Sequence, residues 1–222
     1  KGQVYTLFRL SSKMKGVFMA KAYEMLYENL KPRLAACDLA ARAMNMGLPV
    51  PTNGSIHCDF LGRQYLITNS GVEQADGQPD NVNSRSLLIH YLLSEGGVEP
   101  IGEFVPMSQL TGMVPSQNAH DNFFAKPLLR ALGENYRGLI SSAESLGGAL
   151  ISSVNGDHHW HFQVLPKISM RFIHYEPDDE YPLEFKYLFD RLAVKILEYE
   201  CLAFLIGCFN YELIEAINRE AP

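Results

Sequence analysis

Apolar positions along the chain change period several times, and each change predicts an element. Over residues 12–31, Val17, Ala20, Met25, Leu26 and Leu30 recur at helical spacing, and Pro32 is expected to stop that helix. A second helix is predicted over about 34–46, ending at Gly47 with Pro49 and Pro51 beyond. From Ser55 to Thr68 the period falls to two. Ile56, Cys58 and Phe60 alternate with His57 and Asp59, and Gly62-Arg63 turns the chain into Gln64 to Thr68. Residues 69–80, with Gly71, Gly77 and Pro79, read as a polar loop. Asn83 to Leu93 reads as a short helix closed by Gly96-Gly97, and Ile101 to Met107 as a strand that Pro106 confines to a sheet edge. Gln117 to Leu132 is helical, with Pro127 either restarting or kinking it, and residues 134–146 form another helical segment.

Residues 148–175 carry the pattern whose register can be argued. Asn155-Gly156 is a two-residue hairpin signal, pairing Val154 with Asp157, Ser152 with His159 and Ile151 with Trp160. Trp160, Phe162 and Val164 then alternate with His159, His161 and Gln163; Ile168, Met170 and Phe172 alternate with Ser169 and Arg171. The apolar sets share a face if Leu165-Pro166-Lys167 is an odd connection that sets Phe162 opposite Met170. Beyond it, Leu183 to Ile196 reads as an amphipathic helix and Glu198 to Ile217 as a core helix. Non-consecutive strands with helices before, between and after them predict an α+β fold. It is a mainly antiparallel sheet with a three-stranded C-terminal meander, packed with N-terminal, central and C-terminal helices. Without a repeat or linker, residues 1–222 are expected to form one domain: a basic helical portion (1–50), the meander (148–175) and C-terminal helices (183–219).

Composition narrows the class. The chain has 222 residues, is 47% hydrophobic and 20% charged, and carries a net charge of −6, which excludes disordered and collagen-like classes. That charge also argues against a nucleic-acid partner. Residues 1–50 hold eight basic side chains against three acidic ones, and residues 175–222 hold eleven acidic against four basic. The ends either neutralise one another or leave a basic face for an acidic protein partner. The longest apolar run, Cys201 to Phe209, is too short to span a bilayer, and residues 1–20 show no secretory apolar region, so a cytoplasmic protein with no membrane contact is expected. Cys37, Cys58, Cys201 and Cys208 show no zinc spacing and read as buried free thiols.

Candidate chemistry concentrates in the meander. His159, His161, Gln163, Ser169 and Arg171 line one strand face, which is either simply solvated or presents donors to a carboxylate or phosphate. His159 and His161 leave the same face, so they are also the metal ligands of an alternative reading, a metal-dependent enzyme drawing a carboxylate from elsewhere; Arg171 across from His161 opposes a cation there. His158 and His174 point to the apolar face and read as a satisfied core pair or as a buried axial ligand for a haem or corrinoid. The acidic turn Glu176, Asp178, Asp179 and Glu180 lacks an EF-hand pattern and is expected at the N-terminus of the following helix. No dinucleotide, phosphate-loop or nucleophile motif is present, and no cofactor is specified.

Four stretches carry a family likeness: Gly156-Asp157 before a strand, the turn Leu165-Pro166-Lys167, Asp179-Glu180-Tyr181-Pro182, and Leu188-Phe189-Asp190 at a predicted helix start. In these the chain resembles a prokaryotic family of domains of unknown function, common in anaerobes. The likeness runs from about residue 18 and is most specific between 147 and 200. Some members are similar in being fused to ferredoxin-like iron–sulfur segments or encoded near corrinoid and one-carbon enzymes. The resemblance implies a context and no catalytic residues. The expected function is therefore a binding or accessory domain of a redox, cofactor or one-carbon enzyme system, contacting a small anion or a partner protein. A structural subunit of a larger complex is compatible with the same features.

Overall fold

The computed structural model describes residues 12–77, 81–110, 117–132, 136 and 138–220, with side chains from residue 24 onward except 117–123 and 220. Of the basic N-terminal portion, Lys1 and Arg9 lie outside the described residues, as do the side chains of Lys13, Lys15 and Lys21. The fold is α+β, with a three-stranded and a five-stranded antiparallel sheet.

Helix α1 (Ser12–Ala35) runs through Pro32 instead of stopping there, because the Pro32 carbonyl still accepts from Ala36 N–H and completes the last turn. Met25 and Leu26 are exposed, and Tyr27, Leu30 and Leu34 turn inward. Helix α2 (Leu39–Met46) starts later than its apolar spacing indicates. Asp38 caps it by accepting from Ala41 N–H at 3.0 Å, and Gly47 closes it in the left-handed conformation. Strands β1 (Ile56–Phe60), β2 (Arg63–Thr68) and β3 (Gly71–Gln74) form the small sheet in sequence order. The region 69–80 is thus not a loop throughout. Its strand is held by Tyr27, whose hydroxyl accepts from Val72 N–H at 2.9 Å and donates to Val72 O. At the β1–β2 turn both Leu61 and Gly62 have positive φ, and a Cβ on Gly62 would stand 2.8 Å from Ser145 O.

Helix α3 (Val82–Leu93) leads to β4 (Phe104–Pro106), α4 (Met107–Leu110), α5 (Gln117–Leu132) and the short α6 (Leu139–Ser145). Strands β5 (Ala149–Val154), β6 (Asp157–Leu165), β7 (Ile168–Tyr175) and β8 (Glu184–Asp190) follow, and the large sheet has the order β4-β8-β7-β6-β5. The predicted amphipathic helix over 183–196 is therefore a strand followed by a short 3-10 turn at Ala193–Lys195. Phe185, Tyr187 and Phe189 alternate with Glu184, Lys186 and Leu188, and the aromatic set lies against His174, Phe172 and Met170 of β7. The acidic turn consequently precedes a strand, and the Asp178 carboxylate instead accepts from Glu180 and Tyr181 N–H at 2.8 and 2.7 Å. Leu188-Phe189-Asp190 ends that strand instead of opening a helix.

Helix α7 (Tyr199–Glu220) covers the inner face of the large sheet. Phe209 meets Phe162 and Phe172 at ring separations of 4.9 and 5.1 Å, and Tyr187 donates to Asn210 Oδ1 at 2.7 Å. Toward the small sheet, α7 supplies Glu212, buried against Arg63 at 2.6 Å. Burial raises the Glu212 pKa while Arg63 lowers it, and the net direction is upward. Cys201 and Cys208 are buried on α7 and Cys58 is buried on β1, with burial raising their thiols to about 11, 12 and 12 respectively. At neutral pH they are inert thiols. Among the described residues no helix is long and apolar enough to cross a membrane.

Candidate functional site

The hairpin at Asn155-Gly156 sets the geometry, because both residues adopt the positive φ that this turn requires. Val154 faces Asp157 and Ser152 faces His159, as the sequence indicates. Trp160, however, faces Leu150: a bulge at Ile151 shifts the register by one residue. Across β6 and β7, Phe162 faces Met170, His161 faces Arg171 and Gln163 faces Ser169.

On the outer face, this register places His159, His161 and Arg171 in one neighbourhood. The Arg171 guanidinium lies 4.3 Å from the centre of the Phe104 ring, whose edge-on neighbour at 5.9 Å is His161. Arg171 Nε is buried and without a hydrogen-bond acceptor, and among the described residues no carboxylate forms an ion pair with this arginine. Gln163 and Ser169 contribute differently. The Gln163 amide donates to Leu165 O and Pro166 O, so its donors are committed, and Ser169 is 6% exposed.

On the inner face, His158 and His174 lie opposite one another with rings stacked 4.3 Å apart and 20° from parallel. His158 Nδ1 is 3.0 Å from Ser153 Oγ, and its Nε2 is 3.1 Å from Glu176 Oε1. His174 is 1% exposed, and among the described residues its Nδ1 has no hydrogen-bond partner. Burial, and then the neighbouring His158, push its pKa down to about 4, so its imidazole is neutral at physiological pH. Ligand atoms of His158, His174 and Glu176 all lie within 4.8 Å of one another. Ser153, His158 and Glu176 share the order of a nucleophile relay, but the Glu176 side chain is 42% exposed, whereas such relays bury the carboxylate. Neither Ser153 nor Glu176 stands out in the sequence as a partner of His158. The signal for Ser153 is the hairpin register itself, and Glu176 reaches the site because its N–H donates to Gly156 O at 2.8 Å, extending the ladder past β7.

Glu176 also lines a cavity of about 330 Å³ with Asp157, Asp178, Tyr181 and Glu184. Its only charged lining groups are carboxylates, so it draws cations.

The site thus sits on an α+β fold in which a four-stranded antiparallel run is flanked by an edge strand and backed by one long helix. The family model for a domain of unknown function, DUF3786, matches residues 38–211, and the chain belongs to that family. Comparison with curated proteins and with solved structures gave no match.

Proposed function

We propose that this chain works as one accessory binding domain that holds a small anion, a carboxylate or phosphate, on the outer face of the large sheet. The observation that supports the reading is Arg171: a half-buried guanidinium laid on Phe104, beside His161, with no carboxylate paired to it among the described residues. Phe104 fixes the plane of the guanidinium, so the ordering cost of a bidentate contact is already met before an anion arrives. His161 and His159 add ring N–H donors, while Gln163 and Ser169 shape the margin of the site. The resemblance noted from the sequence supports a setting alongside a redox, cofactor or one-carbon enzyme in the cytoplasm of an anaerobe.

Titration of the protein with phosphate and with acetate, followed by amide chemical shifts, tests this reading. Saturable shifts are expected around His161 and Arg171, and Arg171→Gln is expected to weaken them about tenfold or more, the worth of one charge-assisted hydrogen bond. Shifts absent from this face, or unchanged in Arg171→Gln, would overturn it.

A further inference from the structure

We infer that His158, His174 and Glu176 form a binding site for a divalent transition-metal cation on the inner face of the sheet, beside the acidic cavity that Glu176 also lines. The donor set of two imidazoles and a carboxylate suits borderline cations such as Zn2+ or Co2+. In a tetrahedral site, bond lengths of about 2.0–2.2 Å to nitrogen and oxygen place neighbouring ligand atoms about 3.3–3.6 Å apart. The His158 Nε2–Glu176 Oε1 separation of 3.1 Å is only a few tenths of an ångström short of that span.

Three further features converge on the same point. Ser153 Oγ lies at His158 Nδ1. When Nδ1–H donates a hydrogen bond to this oxygen, the Nε2 lone pair of His158 is left for a metal ion, and outer partners set the tautomer of a metal-bound histidine in this way. His174 is sealed from solvent with a ring nitrogen, Nδ1, that has no hydrogen-bond partner among the described residues. Glu176 belongs both to the cluster and to the carboxylate-lined cavity, so the negative potential that gathers cations lies next to the cluster. A lone pair lies in the plane of its imidazole, so rings stacked 4.3 Å apart meet a shared ion only by swinging about their Cβ–Cγ bonds until their edges converge. From a limit of 4.8 Å the movement required is roughly 1–1.5 Å. This site is independent of the anion site, being on the opposite face of the same strands.

The test is a titration of the chelator-treated full chain with Co2+, read by its visible absorption and calorimetry, and followed by Zn2+ competition. Stoichiometric binding with displacement of Co2+ by Zn2+ is expected. Glu176→Gln and His174→Gln should abolish it, Ser153→Ala should weaken it by about tenfold, and His159→Gln and His161→Gln should leave it unchanged. Because Glu176 and Ser153 are exposed, their variants keep the test decisive if His174→Gln does not fold. Absence of stoichiometric binding would overturn the assignment. So would binding lost in His159→Gln or His161→Gln but kept in Glu176→Gln.

Discussion

The two faces of the β6–β7 ribbon come from the same seventeen-odd residues and the same ladder, yet they are solved by opposite means. Inside, Trp160, Phe162, Met170 and Phe172 are all at most 1% exposed, and Phe162 and Phe172 pack their rings against Phe209 of α7. Outside, one ring, Phe104, supports one guanidinium, and His159 and His161 remain partly open. Burial dominates the inner energetics, whereas the outer surface mixes polar groups with internal partners, such as Gln163, and the Arg171 guanidinium, which no carboxylate among the described residues pairs. A strand pair buried on one face only can carry a core and a recognition surface at once, because alternation keeps the two sets apart.

Trp160→Ala should separate the two faces most strongly. Removing a fully buried indole is expected to cost about 3–5 kcal/mol in denaturant unfolding. Phe104→Ala, on the outer face, removes a half-buried ring and its cation–π contact, and a loss of about 1–2 kcal/mol is expected by the same measurement. His159→Ala should change stability by no more than about 0.5 kcal/mol, as for other surface positions. A His159 effect as large as that of Trp160 would mean that the outer face is also core.

What was legible in the sequence was local. Asn155-Gly156 and the strict alternation on both sides of it specify the hairpin, the Phe162–Met170 pairing and the opposition of His158 to His174. The bulge at Ile151 was not legible, since nothing in Ala149–Val154 marks an extra residue. Strand β8 was misread because Leu183, Tyr187 and Leu188 also satisfy a helical stripe. The decision belongs to β7, whose unpaired edge takes Glu184–Asp190 as its neighbour. Short β3 begins at a glycine and owes its place to Tyr27, forty-five residues away in sequence. For the candidate sites, single faces could be assigned from period two, but contacts between faces and loops could not. Phe104 reaches Arg171 from the far edge of the sheet, and Glu176 reaches His158 from beyond the end of its strand.

The two edges of the large sheet are unequal. Strand β4 is three residues long and ends in Pro106, whereas β5 has six exposed residues, Ala149–Val154, without a charge or a proline. Backbone groups along such an edge are available to another strand only while the fold persists. Any chain that adds itself there therefore binds the native state alone, and linkage makes the unfolding midpoint depend on how much of that chain is present. Measured stability then becomes a property of the mixture as well as of the molecule, with β5 as the point where the two are coupled.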